Sequence, residues 1–169
     1  NLNKPIIIEI SKRSDNGYGI SAGYKTNIIF LGDDYLKDEE NKSKLEDSYL
    51  EILDGREHIN VYSKGKTLLG RKLSNFADIP TEVEIDGELI RFKNVESLWF
   101  YLKIYLSLNE KDINLLDMEG YEAKEYGTKK TKLIPPLKEE QKTYFIEKIK
   151  EGIKWKILNN DALLEEFKA

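Results

Sequence analysis

Between residues 5 and 10 the chain places Ile6, Ile7, Ile8 and Ile10 in a run of strand length, followed by a polar, glycine-bearing stretch over residues 11–23. β-Branched side chains suit a pleated surface, so this pattern predicts a strand and then a loop. Residues 26–31 form a second strand candidate closed by Gly32-Asp33-Asp34. After it, residues 35–53 are charged and helix-permissive up to Gly55. Residues 59–62 predict another short strand. Over residues 82–92, Val83 and Ile85 alternate with charges ahead of Asp86-Gly87. That dipeptide suits a type I′ turn, so a hairpin is expected.

At Val95 the pattern changes to helical period. Val95, Leu98, Leu102, Tyr105 and Leu106 make one apolar stripe behind Asn94, a residue type that caps helix N-termini. A second helical stretch covers about residues 121–126. Beyond the breaker Pro135-Pro136, residues 138–158 repeat Phe145, Ile149, Ile153 and Ile157 four apart, which predicts the longest helix. Residues 161–168 add a short terminal helix with Asp161 as its cap. Strands come first and helices follow, which favours an α+β fold over alternating βαβ units. There is no internal repeat or low-complexity tract.

At 169 residues and 40% hydrophobic composition the chain is the size of one domain with an ordinary core. No apolar run approaches the roughly 18 residues of a membrane span, and no basic-then-apolar leader opens it. A cytoplasmic protein without membrane attachment is expected. With no cysteine and the single histidine His58, most transition-metal chemistry drops out and no metal or cofactor is expected. Lys+Arg 27 against Asp+Glu 31 gives a net charge of -4, which opposes sequence-independent grip on duplex DNA. A local basic stretch of Lys124, Lys129, Lys130, Lys132 and Lys138 still offers a side for phosphates to approach, or simply a solvated loop.

Two glycine-rich segments miss their motifs on spacing. Gly17-Tyr18-Gly19 has its third glycine at Gly23, too far for a dinucleotide fingerprint. Gly65-Lys66-Thr67 resembles the end of a phosphate loop, but the required first glycine falls on Asn60 and no competent helix is expected directly after it, so it reads as a turn. His58 has no acidic or nucleophilic partner at motif spacing and reads as a surface or partly buried imidazole.

Steps of 100° along the helix from Val95 place Glu96, Trp99, Phe100 and Lys103 in one broad sector, away from the aliphatic stripe. Glu96 and Lys103 are two turns apart, roughly 10 Å by rise, so an i,i+4 ion pair does not connect them. A carboxylate and an ammonium flanking two aromatic rings suit a ligand with a flat base, a sugar and a phosphate. The bland alternative is that both rings are core and the charges cap a solvated edge.

The stretch Gly70-Arg71-Lys72-Leu73-Ser74-Asn75-Phe76-Ala77, with Ile59-Asn60-Val61-Tyr62-Ser63 before it and Val95-Glu96 to Lys103 after it, resembles the NADAR (NAD- and ADP-ribose-associated), or YbiA-like, superfamily. In that family a short strand ending in an aromatic precedes a Ser-Asn-Phe loop and a hairpin with an Asp-Gly turn. Val-Glu then opens a helix with a lysine seven residues later. Glu122-Ala123-Lys124 with Gly127 is similar to the family's Glu-Ala-Lys…Gly segment, and residues 153–167 to its helix-Asn-helix close. The resemblance covers residues 59–167, about two-thirds of the chain. Where simpler members carry a tryptophan after the proline-rich linker, the nearest aromatic here is Tyr144. A family segment with an Asp and a Trp-Gly would follow Ala169, so a second catalytic acid is not assigned.

The resemblance implies a single α+β domain over residues 58–169, short strands and a hairpin packed with helices, behind an unassigned extension over residues 1–57. It implies hydrolysis of an N-glycosidic bond without metal: removal of ADP-ribose from guanine in nucleic acid, as an antidote to a cognate ADP-ribosyltransferase. Its rivals are cleavage of riboflavin-pathway ribosylamino-pyrimidine phosphates and a non-catalytic ADP-ribose-binding module. Glu96 is the catalytic candidate, since a carboxylate beside the anomeric carbon stabilises the charge that develops there while orienting a water. Arg71, Lys103 and Lys124 are expected on diphosphate or ribose oxygens. Ser74 and Asn75 are expected on the sugar or base edge, and Phe76, Trp99, Tyr62 and Tyr144 as the aromatic binding residues.

Overall fold

The structure, a computed structural model, describes residues 6–12, 24–30, 59 and 61–169. The glycine motif at Gly17, the helix-permissive segment 35–53, His58 and Asn60 lie outside the described residues. Strands β1 (Ile6–Lys12) and β2 (Tyr24–Phe30) pair antiparallel, with Ile6 opposite Phe30 and Lys12 opposite Tyr24. A short helix α1 (Leu68–Leu73) precedes the second antiparallel pair, β3 (Thr81–Ile85) and β4 (Glu88–Phe92), in which Val83 faces Ile90. Asp86 and Gly87 both take positive φ, 49° and 83°, as the expected type I′ turn requires. Helices α2 (Val95–Leu108), α3 (Gly120–Thr131), α4 (Glu139–Leu158) and α5 (Asp161–Lys168) complete the chain, with a 3-10 turn over Ile113–Asp117. Two small sheets and a set of helices make the class α+β.

Three local expectations are corrected. Ile59, Val61 and Tyr62 lie in irregular chain, because the Tyr62 N–H donates to the Gly70 carbonyl of α1 at 3.3 Å and its carbonyl accepts from Gly65 at 2.9 Å. Those bonds leave no ladder for a strand to join. A helix does follow Gly65-Lys66-Thr67: the Thr67 hydroxyl accepts from the Gly70 N–H at 3.0 Å and caps α1, which buries Leu73. The cap of α5 is Asn160, whose side-chain oxygen accepts from Leu163 at 2.9 Å, while Asp161 occupies the first helical position.

The core lies between the hairpin, α2 and α4. Val83, Ile85 and Phe92 meet Val95, Leu98 and Leu102 of α2 and the stripe Phe145, Ile149, Ile153 and Ile157 of α4, each no more than 1% exposed. Burying one such aliphatic side chain stabilises the fold by roughly 1.5–3 kcal/mol, so this shared face holds α4 in place. Close approach depends on Gly152, where an added Cβ would stand 2.5 Å from Leu98 Cδ2. Asn94 fixes the start of α2 from three sides. Its Oδ1 accepts from the Ser97 N–H at 2.8 Å, and its Nδ2 donates to Asp78 and to the Met118 carbonyl, both at 2.8 Å. Among the described residues no helix is long and apolar enough to cross a membrane.

Candidate functional site

Glu96 stands in the first turn of α2, where its backbone N–H donates to the Asn75 carbonyl at 3.0 Å. Its half-buried carboxyl is pushed up to about 7, chiefly by burial, with Lys124 and then Lys103 pulling in the opposite direction. Burial likewise lowers the Lys103 ammonium, and Glu96 works against that shift. Lys103 Nζ lies 5.6 Å from the Trp99 ring centre and 5.7 Å from that of Phe100. Lys103 thus shares its side of α2 with both rings.

The rings themselves are committed to packing. Trp99 is half-buried and stands edge-on to Phe145, centroids 4.7 Å apart at 84°. Phe100 is core, 7% exposed, and α3 closes on it because residue 127 is glycine: a Cβ there would stand 2.1 Å from Phe100 Cγ.

That close approach of α3 completes the site. Lys124 acts electrostatically on the Glu96 carboxyl and lies over the Phe76 ring, Nζ to centroid 5.2 Å. Tyr121, one turn earlier, meets Phe76 at 5.1 Å with planes tilted by 44°. Gly120 opens α3 against the Phe76 backbone, where an added Cβ would be 2.5 Å from the Phe76 carbonyl oxygen. Three remote segments therefore converge: Asn75 and Phe76 from the loop after α1, Glu96 and Lys103 from α2, and Tyr121 and Lys124 from α3. Outward along α3 runs an open groove of about 440 Å³ lined by Tyr121, Lys124, Glu125, Thr128 and Lys129.

Of the four other sequence candidates, Ser74 meets the cluster at the Phe76 backbone, while the contacts seen for Arg71, Tyr62 and Tyr144 among the described residues go elsewhere. Ser74 is buried, ends α1, and turns its hydroxyl to accept from the Phe76 N–H at 3.3 Å, so it shapes the loop from within. Arg71 spends Nη1 on the carbonyls of Gly65 and Lys66, at 2.7 and 3.0 Å, and staples the preceding turn. Tyr62 is exposed beside that turn. Tyr144 is half-buried under Lys148, 5.5 Å from its ring centre, and acts electrostatically on Tyr105, which lies about 13 Å along α2 from Glu96 by helical rise. The basic stretch is also not one positive face. Lys129 pairs with Glu125 at 2.7 Å, and Lys130 with Glu110 and Asp112 at 2.6 and 2.5 Å.

Two residues were missed by sequence reasoning. Tyr121 stands three before Lys124 on a helix, a spacing that puts both on one face. Lys156 is 1% exposed and donates from Nζ to the Ser74 carbonyl at 2.8 Å. Its position, three beyond Ile153 and seven beyond Ile149, belongs to the apolar stripe of α4, which is the signal that could have found it. No family model, curated protein or solved structure matches this chain.

Proposed function

We propose that this chain is an N-glycosidic hydrolase of NADAR type that removes ADP-ribose from guanine in nucleic acid. The observation that carries the reading is Lys124, which lies over the Phe76 ring and acts electrostatically on the Glu96 carboxyl. An acid/base group, a cation and an aromatic surface are the three elements needed to hold a ribose between a flat base and a diphosphate.

As the bond from the anomeric carbon to the base nitrogen breaks, positive charge grows on the ribose, and the ionised Glu96 carboxylate stabilises it. The same carboxylate takes a proton from the attacking water as the new carbon–oxygen bond forms, and then passes that proton to the departing base nitrogen. A carboxyl titrating near 7 serves this exchange at neutral pH. Lys103 and Lys124 draw the diphosphate toward the site, and Phe76 offers a ring for stacking.

The test is incubation with single-stranded DNA bearing ADP-ribosyl guanine, and with ADP-ribosyl guanosine, following released ADP-ribose by mass spectrometry. Release by the parent protein and not by Glu96→Gln is the expected result. Binding of ADP-ribose without release sinks the hydrolase reading in favour of a non-catalytic module. Release only from ribosylamino-pyrimidine phosphates moves the substrate to riboflavin-pathway intermediates.

A further inference from the structure

The α4 stripe that fills the core includes one charged side chain, Lys156, buried to 1% exposure. A methionine has nearly the same length and no charge to desolvate, so packing alone favours an apolar residue there. A buried ammonium that breaks this local rule points to a role outside the core. Its Nζ reaches the Ser74 carbonyl at 2.8 Å, and that oxygen also accepts from the Ala77 N–H at 3.2 Å, closing the turn over residues 74–77. The next carbonyl, that of Asn75, accepts from Glu96. Two successive carbonyls of one loop are thus fastened to α4 and α2, and the residue that follows, Phe76, meets Tyr121 and Lys124.

We propose that Lys156 is a positioning residue for the candidate site: its bond to the Ser74 carbonyl sets the loop that presents Asn75 and Phe76 to a ligand beside Glu96. The inference rests on reading that site as one for ADP-ribose. Because Ala77 still bonds the Ser74 carbonyl, Lys156→Met does not orphan it, and the variant is expected to fold.

ADP-ribose is titrated calorimetrically into the parent, Lys156→Met and, as a core control, Ile153→Val. Lys156→Met is expected to fold and to bind at least about ten-fold more weakly, the scale of loss that misplaced supporting groups cause. Its amide resonances at Asn75 and Glu96 shift, while Ile153→Val binds like the parent and leaves them in place. Parent-like affinity of Lys156→Met with both resonances unmoved overturns the inference alone, whereas a parent that binds no ADP-ribose overturns the reading of the site and this inference with it. A second measurement uses the parent only: the Lys156 15Nζ resonance moves on saturation with ADP-ribose, and a resonance that stays in place overturns the inference.

Discussion

The Glu96 N–H donates to the Asn75 carbonyl at 3.0 Å, which ties the first turn of α2 to the loop after α1. The cap Asn94 is itself held by both Asp78 and Met118, so neither can move away without losing its bond to the start of α2. The candidate carboxylate therefore sits on a braced element, as a site that must hold geometry requires.

Glu96→Gln is expected to reduce ADP-ribose release by at least about 100-fold, the scale of general acid/base help. It is also expected to stabilise the fold in alkaline solution. The folded carboxyl titrates near 7 against an ordinary 4.5, so the folded state keeps its proton longer than the unfolded chain. The cost of that shift is absent below about pH 4.5 and complete above about pH 7. At pH 8 Glu96→Gln should exceed the parent by up to about 3 kcal/mol, and the two should converge near pH 4.5. Urea melts at both pH values decide it.

Lys124 is the largest influence holding the Glu96 pKa down, so Lys124→Met should raise it further. In a carboxyl 13C titration the Glu96 midpoint moves upward from about 7, and the acidic limb of the release profile moves with it. The same change removes the cation over Phe76 and weakens ADP-ribose binding. An unmoved midpoint would show that the two groups are not neighbours in solution.

Gly127→Ala drives a methyl into the Phe100 ring, whose Cγ and Cβ are too near the helix backbone to swing aside. A loss of about 1–3 kcal/mol in denaturant melts is expected. Gly120→Ala meets the Phe76 backbone instead, so besides its cost in stability it should displace Phe76 and weaken ligand binding in calorimetric titration.

Burial lowers the Lys156 ammonium to about 7, below the ordinary 10.5, so the unfolded chain holds that proton longer than the folded one. The burial cost is then complete below about pH 7 and fades as pH rises toward 10.5. Lys156→Met should show its greatest stability advantage over the parent at pH 6 and a smaller one at pH 10. Thermal melts across that range test it, and a constant difference would refute the shifted amine.

The helices and the hairpin were legible because their signals are local. Asp86-Gly87 and the alternation of Val83 and Ile85 specify the β3–β4 hairpin, and the four-residue spacing of Phe145, Ile149, Ile153 and Ile157 specifies α4. α1 was not legible, since six residues span under two turns and show no periodicity, while its Thr67 cap lay inside an apparent glycine turn. Asn160 and Asp161 are both good caps, and only the bond to Leu163 separates them.

The residue pattern settled which face of α2 carries Glu96 and Lys103, because a 100° step is a property of one helix alone. Packing settled what that face meets. The absent side chain of Gly127 lets α3 close on Phe100, and this brings Lys124 over Phe76 and within electrostatic reach of Glu96. The burial of α4 carries Lys156 beneath the Ser74 carbonyl. Both contacts join segments remote in the chain. Their distances depend on how volumes fit across the whole core, and no run of neighbouring residues encodes that fit.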